Sequence, residues 1–238
     1  MTQTHTYPVV VKTFYGLEDT LVSELEAMGA TDVKKANRAV HFRGGLHKIY
    51  EANLKLRTAI KVLVPLHKFQ AKSEKALYKG VYDFPWHEHF SYLDTFAIDG
   101  VVHSDHFRHS QYAALKAKDA IADQFREKYG KRPSVNVETP DFRITLHIRH
   151  DQVQLLADSS GDALFKRGYR SQQGTAPINE ALAAGQLLIA GWKGQSHFVD
   201  FMCGSGTYLA EAGLIAHNIP PNYFRNHFGF KQRRNYDA

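Results

Sequence analysis

The sequence predicts an α/β protein whose N-terminal half is α+β and whose last part begins a doubly wound parallel sheet. Three patterns predict it: a βαββα series at the start, strands arranged around one long helix in the middle, and a strand, glycine turn and helix near the end. We therefore expect domains at 1–58, 59–158 and 177–238, with a linker at 159–176.

The start of the chain has the pattern of a ferredoxin-like unit. The run YPVVVKTF (7–14) is apolar and β-branched, which predicts a strand. Leu17, Leu21 and Leu25 then recur at helical spacing, and a glycine ends this helix. Further strands are predicted at 32–36, 39–42 and 60–66, and a second helix at 46–55. This βαββα order, followed by an apolar strand, is typical of the ferredoxin-like fold.

The middle of the chain predicts a second α/β domain. Its longest helix is predicted at 111–129, where Ile121 and Phe125 share one face and Gly130 ends the helix. The other predicted elements are a helix at 73–81, an aromatic turn at DFPWHEHF (83–90), and strands at 94–102, SVNVE (134–138), FRITLHIRH (142–150) and QVQLLAD (152–158). A tight turn at His150 and Asp151 is expected to join the last two strands.

The last part of the chain has a third composition. Residues 159–176 are rich in Gly, Ser and Gln, which is typical of a linker. A helix is predicted at 177–191 with Pro177 in its first position, followed by a buried strand at 197–201 and a helix at 207–216. A strand and helix in this order begin a parallel, doubly wound sheet.

The composition is that of a globular protein with a mild excess of positive charge. Apolar residues make up 43% and charged residues 23% of the chain, and the formal net charge is +6. No apolar run is long enough to span a bilayer, the N-terminus lacks a secretory pattern, and the single cysteine cannot form an internal disulfide. We expect a cytoplasmic protein with no membrane segment and no evident obligate protein partner, compatible with a polyanionic ligand.

The segment VDFMCGSGTYLAEAG (199–213) carries the clearest ligand motif. Asp200 ends the predicted strand, and Gly204 and Gly206 allow a sharp turn and a close approach to a ligand. A P-loop lysine and the third glycine of the dinucleotide-binding pattern are both missing. An acidic residue before such a turn suits a ligand with a cationic centre and an amino acid moiety, and S-adenosylmethionine has both. A tight turn without a ligand is the alternative.

Five segments resemble one family. DFMCGSGTYLAEAG resembles the first motif of class I methyltransferases. The other four are SDHFRHSQYAALKAKDAI (104–121) and RPSVNVETPDFRITLHI (132–148), which resemble a THUMP core, SSGDALFKRGYR (159–170), which resembles the hinge after it, and APINEALAAG (176–185), which resembles the helix before the cofactor site. The chain is similar to the bacterial THUMP-domain guanine-N2 methyltransferases of large-subunit ribosomal RNA.

This resemblance implies a THUMP RNA-binding domain at 59–158 and the N-terminal part of a Rossmann-like class I methyltransferase sheet at 177–238. It also implies methyl transfer from S-adenosylmethionine to the exocyclic amine of an unstacked guanine in large-subunit ribosomal RNA. The implied cofactor-binding residues are Pro177, Glu180, Asp200, Cys203, Gly204, Ser205, Gly206 and Thr207. The implied RNA-binding residues are Ser104, Phe107, Arg108, Ser110, Gln111, Lys116, Lys118, Arg143, Lys166, Arg167, Tyr169 and Arg170.

The sequence departs from this family at the catalytic motif. The family holds the guanine with Asn/Asp-Pro-Pro-Tyr, whereas IPPNY (219–223) has the prolines without the preceding amide or acid. The acidic residue that binds the ribose is also absent. We therefore expect no catalytic residues here, only the opening of the methyltransferase domain, and no activity of this chain alone. The alternatives are a non-enzymatic RNA-binding or ribosome-assembly module with a vestigial methyltransferase segment and, more distantly, a DNA or protein methyltransferase.

Several further residues allow two interpretations. Cys203 suits a small packing position better than a nucleophile. The histidine clusters at 87–89 and 103–109 lack a matching second half, so no metal site is expected. Arg108 either contacts RNA phosphate or is a solvated residue at a helix start. The arginines and tyrosine of FKRGYR (165–170) either contact RNA or fix the hinge between domains.

Overall fold

The computed structural model describes residues 6–170 and 177–232. The chain divides into two compact units, each formed by two stretches of sequence. Unit 1 consists of Met1–Val62 and Asp162–Phe228, and unit 2 of Leu63–Gly161 and Gly229–Ala238. Over the described residues, no helix has the length and apolar character needed to cross a membrane.

The secondary structure alternates strands and helices along most of the chain. In chain order the elements are β1 (Tyr7–Thr13), α1 (Glu18–Ala27), β2 (Thr31–Ala36), β3 (Ala39–Gly44), α2 (Leu46–Lys55), β4 (Ala59–Gln70), α3 (Glu74–Tyr82), a 3-10 helix (Trp86–Glu88), β5 (Thr95–His103), α4 (Ser110–Tyr129), β6 (Ser134–Val135), β7 (Phe142–Arg149), β8 (Gln152–Asp158), α5 (Glu180–Ile189), α6 (Thr207–Ala216) and a second 3-10 helix (Gly229–Gln232).

Unit 1 is built on the predicted ferredoxin-like sheet. Its strands follow the order β2-β3-β1-β4, and β1 and β2 both pair with β3 in antiparallel fashion. Val11, Val40 and Phe42 fill one face of this sheet and are at most 2% exposed. Helix α5 joins the unit by packing on α1, and it does so closely, because a Cβ added at Gly185 would lie 2.6 Å from the Leu17 side chain, which would then have to move.

Unit 2 contains the predicted second α/β domain. Its strands follow the order β4-β8-β7-β5-β6, in which β7 and β8 form a hairpin and β5 runs parallel to β7. The hairpin turns at His150, which has a φ of 54°. Helices α3 and α4 pack together, and α4 ends at Gly130 with a φ of 66°. The predicted aromatic turn is part of the core, because Trp86 is fully buried and donates from Nε1 to the Val81 carbonyl at 2.7 Å.

The sequence-based α/β fold class, with a ferredoxin-like unit and a second α/β domain, is confirmed. Two predictions in the last part are wrong. Residues 197–201 form no strand, and Phe201 is 94% exposed, because no strand among the described residues lies alongside to accept and donate backbone hydrogen bonds. Helix α5 begins at Glu180 instead of Pro177, because the Asn179 side chain caps it through Ala181 N at 3.0 Å.

Candidate functional site

The predicted ligand motif forms a tight turn in unit 1. Asp200 Oδ1 accepts from Met202 N at 3.0 Å, and Cys203 O accepts from Gly206 N at 2.7 Å. Gly204 and Gly206 have φ values of 52° and 72°, which residues with a Cβ rarely adopt. No atom lies within 4 Å of the place where a Cβ would stand at either glycine, so the turn borders open space.

Helix α6 begins directly after this turn. Its N-cap is Gly206, which has no side chain that could accept a hydrogen bond from the first backbone N–H groups. Thr207 is buried, and its Oγ1 lies 3.0 Å from Ser205 Oγ and accepts from Arg170 Nη2 at 2.7 Å. The positive end of the α6 dipole therefore faces the glycine turn.

Arg170 connects the glycine turn to the start of α5. Its Nε lies 2.6 Å from Glu180 Oε1, and its Nη2 donates to Ile178 O at 3.2 Å as well as to Thr207. A cleft of about 540 Å³ lies beside this arginine and is lined by Phe165, Lys166, Arg167, Gly168, Arg170, Pro177, Ile178, Asn179 and Glu180. Of the predicted cofactor-binding residues, Pro177, Glu180 and Thr207 are thus gathered around Arg170.

Asp200 lies at a second, more apolar cleft. This cleft has a volume of about 580 Å³ and is lined by Gln186, Leu187, Ala190, Phe198, Val199, Asp200, Phe201, Met202 and Tyr208. Tyr208 OH donates to Gln186 Oε1 across it. Cys203 is exposed and is a free thiol. The predicted packing role of Cys203 is therefore not seen in this arrangement.

A buried ion pair joins the predicted hinge segment to α6. Arg167 Nε lies 3.4 Å from Glu211 Oε1, and neither side chain has exposed surface. Arg167 also donates to Leu164 O at 2.9 Å and to Arg57 O at 2.5 Å, while Tyr169 OH donates to Glu211 Oε1 at 3.1 Å. Burial raises the pKa of both Glu211 and Tyr169 above their ordinary values. Sequence reasoning missed Glu211, although an acidic residue inside the apolar helix TYLAEAGLIA was a usable signal.

The other end of α6 is held by Arg57. Its Nη2 donates to Leu214 O at 3.2 Å and to Ile219 O at 2.9 Å, which satisfies carbonyls at and beyond the end of the helix. Arg57 N in turn donates to Glu24 Oε1 at 2.7 Å. Burial lowers the pKa of Arg57 and raises that of Glu24. Helix α6 is therefore anchored at its start, its middle and its end by groups of unit 1.

Among the predicted RNA-binding residues, Phe107 is buried, and Arg143, Arg167, Tyr169 and Arg170 bond to other residues of the chain. Phe107 is a core residue of unit 2, only 5% exposed, because it packs in the apolar cluster around Trp86. Arg143 lies between Asp99, at 3.1 Å, and the Val137 carbonyl, at 2.7 Å. The other three are Arg167, Tyr169 and Arg170, described above.

The remaining predicted RNA-binding residues are more accessible. Ser104, Lys116 and Lys118 are half-buried, and Ser104 Oγ accepts from His106 N at 3.1 Å. Lys118 lies 3.1 Å from Asp119. The exposed residues of this group are Arg108, Ser110, Gln111 and Lys166. In the part of the chain that the structure describes, no three His, Cys, Asp or Glu side chains are grouped so as to hold a metal ion.

Three protein-family models match the chain in sequence order. They are the RlmL ferredoxin-like domain over residues 9–63, the THUMP domain over 71–158, and the RMKL-like methyltransferase domain over 167–238. The chain carries a THUMP domain and a methyltransferase segment. The resemblance stated from the motifs is therefore confirmed at the level of these domains, and the methyltransferase segment contains both the glycine turn and α6.

Curated relatives and solved structures agree with this assignment. The ribosomal RNA large subunit methyltransferase K/L of Methylococcus capsulatus is 44% identical over 227 residues, which are 93% of this chain and 31% of that protein. SMU.472 in complex with SAH has a TM-score of 0.84 and 29% identity, over 98% of this chain and 61% of that one. A Listeria monocytogenes protein described as a predicted N6-adenine-specific DNA methylase has a TM-score of 0.83 and 32% identity, over 96% and 60%. The chain thus spans about a third of the length of the curated relative.

Proposed function

We propose that the chain is the RNA-recognition and cofactor-loop part of a methyltransferase that transfers a methyl group to N2 of a guanine in large-subunit ribosomal RNA. The observation that supports this most directly is the glycine turn between Asp200 and Thr207 in the same chain as a THUMP domain. The name of the Methylococcus relative supports ribosomal RNA as the substrate. The specificity for guanine N2 rests on the sequence motifs.

S-adenosylmethionine is the methyl donor in this proposal, and it supplies an electrophilic methyl group on a sulfonium. The residues that would hold it are Asp200, the Gly204–Gly206 turn and Thr207. The open space beside the two glycines and the positive end of the α6 dipole fit a carboxylate-bearing ligand. Pro177 and Glu180 would border the site on the side of Arg170.

The RNA is expected to contact the exposed residues at the start of α4. Arg108 and Gln111 are accessible there, and Arg108 can approach a phosphate without breaking an internal bond. Arg167 is assigned to the interior instead, because its guanidinium is already bonded to Glu211 and to two carbonyls. Of the two interpretations of FKRGYR, we propose the one in which its arginines fix the methyltransferase segment.

The test uses the longer protein that contains this chain, incubated with radiolabelled S-adenosylmethionine and large-subunit ribosomal RNA from cells that lack the modification. Nucleoside analysis is expected to find N2-methylguanosine. N6-methyladenine in a DNA substrate would instead support a DNA methylase, and no transfer to any substrate would support the non-enzymatic alternative.

A pair of glycine variants controls for the cofactor turn. Gly206→Val is expected to abolish transfer, because a β-branched residue is strained at a φ of 72°. Gly213→Ala is the matched control, because no atom lies within 4 Å of an added Cβ at that helical position. Equal activity of the two variants would contradict a role for the turn.

A further inference from the structure

The unit 1 sheet has a second face, opposite the one filled by Val11, Val40 and Phe42. In the β1–β3 register, Lys12 lies opposite Ala39 and Val10 lies opposite His41. Directly opposed residues of antiparallel strands project to the same face, as do residues two apart along a strand. Lys12 and His41 therefore share this second face.

The same register adds two more cations to it. Arg43 lies opposite Pro8, and Lys34 on β2 pairs with His41. Arg38, in the turn between β2 and β3, accepts from Thr13 N through its carbonyl at 3.1 Å and so lies at the end of β1. We refer to Lys12, Lys34, Arg38, His41 and Arg43 as the cationic face.

The cations of this face influence one another. Burial lowers the pKa of Lys12, and the positive charge of Arg38 lowers it further. Burial likewise lowers the pKa of His41, and the charge of Lys12 adds to the effect. These shifts agree with the register in bringing like charges together. An arrangement of this kind is stabilised when an anion binds.

The cations of this face have no carboxylate partner in residues 6–170 and 177–232. Among the described residues, none of its five side chains forms an ion pair, and the Arg43 guanidinium donates to the two oxygens of Thr6 at 3.4 and 3.5 Å. Glu18 lies beside Arg38, but its two oxygens accept from Gly16 N at 2.7 Å and from Arg38 N at 3.0 Å. By contrast, Lys35 points to the other face and pairs with Asp19 at 2.7 Å.

The cationic face is open to a large ligand. Lys34, Arg38, His41 and Arg43 are exposed, and Lys12 is half-buried. Tyr15 is 79% exposed, and the backbone of Gly16, the next residue, is joined to that of Arg38 through the Glu18 carboxylate. An exposed aromatic ring beside unpaired cations is the combination that binds a nucleic acid strand by stacking and phosphate contact.

We propose that the cationic face binds the phosphate backbone of an RNA strand, with Tyr15 stacking on a base at its edge. This inference rests on the proposed function in one respect, since that function makes RNA the polyanion that the protein meets. The cations would replace condensed counterions along the strand, so the contact would be dependent on salt and independent of base sequence.

The test measures affinity by fluorescence anisotropy for a labelled single-stranded oligouridylate and a labelled transcript of large-subunit ribosomal RNA. The variant Lys12→Gln/Lys34→Gln/Arg43→Gln removes three charges from the cationic face. The matched control, Lys35→Gln/Lys55→Gln/Lys79→Gln, removes three lysines that are paired with Asp19, Glu51 and Asp83. Circular dichroism and thermal melting verify that both variants are folded.

The cationic-face variant is expected to bind both RNAs roughly tenfold more weakly than the wild type at moderate salt. The slope of the logarithm of its RNA association constant against the logarithm of the salt concentration should be shallower by about 2, because three phosphate contacts to a single strand are lost. The control should stay within about twofold of the wild type. Tyr15→Ala should weaken binding at high salt as well, because stacking is less screened than charge.

Equal affinities of the two triple variants for both RNAs would overturn the proposal. It would also be overturned if the cationic-face variant lost affinity for polyglutamate and not for RNA, which would indicate docking of an acidic protein. Methylation by the longer protein is scored separately. If the cationic-face variant loses RNA affinity and the wild type transfers no methyl group, only the proposed function is refuted. If the wild type transfers a methyl group and the variant keeps its RNA affinity, only the role of the cationic face is refuted.

Discussion

Arg167 and Glu211 form an ion pair in the interior of unit 1. Their side chains are both 0% exposed, and removing one member of such a pair leaves an uncompensated buried charge. Arg167→Ala is expected to lower the free energy of unfolding by about 3 kcal/mol or more. Chemical denaturation measures this change. Lys166→Ala is the control, because Lys166 is 62% exposed and its pair with Asp162 is worth less than about 1 kcal/mol. Similar losses for the two variants would show that the pair is not the source of stability.

Glu211 also predicts how stability depends on pH. Burial raises its pKa above the ordinary value of 4.5, so the folded state holds this proton to a higher pH than the unfolded state does. Its contribution is therefore complete below pH 4.5 and is lost as the pH rises through the folded pKa, by at most about 1.4 kcal/mol per pH unit. Glu211→Gln lacks this term. Its stability deficit relative to the wild type should shrink as the pH rises from 4.5 to neutral in a series of urea titrations. A deficit that grows would mean that Arg167 lowers the pKa more than burial raises it.

Single residues were the hardest feature to predict from the sequence. The glycine turn was recognised because Gly204 and Gly206 have a local signature, which depends only on backbone conformation. The surroundings of Arg167 depend on Glu211 and Arg57, and those of Phe107 on the apolar cluster around Trp86, all distant in the sequence. From the sequence alone, a positive charge or an aromatic ring at these positions indicates RNA contact equally well. Arg167 and Phe107 are buried in the structure, so we propose a role in the interior for both.

The elements were largely predictable because most of them carry their own period and their own end signals. Helix α2 and helix α6 lie where the sequence predicted them, and β7 and β8 are joined at the predicted turn. The strand expected at 197–201 failed because a buried strand depends on partners that its own pattern cannot supply. The start of α5 differs from the prediction because a proline favours the first helical position, whereas the Asn179 side chain caps this helix two residues later.

The corrected start of α5 can be tested with a capping variant. Asn179 Oδ1 accepts from Ala181 N at 3.0 Å and from Leu182 N at 3.3 Å, which satisfies two of the free donors of the first turn. Asn179→Ala is expected to lower the free energy of unfolding by about 1 kcal/mol. Asn226→Ala is the control, because Asn226 is exposed and lies outside the helices. The correction would be refuted if thermal or urea denaturation found the same stability for both variants.

At the scale of the whole molecule, the two units differ in how fully their apolar residues are buried. Unit 2 closes its own apolar core around Trp86, Phe90 and Phe125. Unit 1 closes around the ferredoxin-like sheet, and its methyltransferase segment is attached through Arg57, Arg167 and α5. The segment before the glycine turn, in contrast, leaves Val199, Phe201 and Met202 exposed by 65%, 94% and 92%. Binding of RNA and binding of the cofactor should therefore be separable in this chain.

Calorimetry with S-adenosylmethionine tests that separation. A cofactor site holds its ligand tightly when its groups are already fixed, and here the residues from 197 to 201 are not held in a sheet. The chain is therefore expected to bind S-adenosylmethionine more weakly than about 0.1 mM, whereas the longer protein should bind in the micromolar range. Gly206→Val in the longer protein should reduce its affinity to that of the chain. Submicromolar binding by the chain itself would contradict this expectation, because it would require a site that is already complete between Pro177 and Gln232.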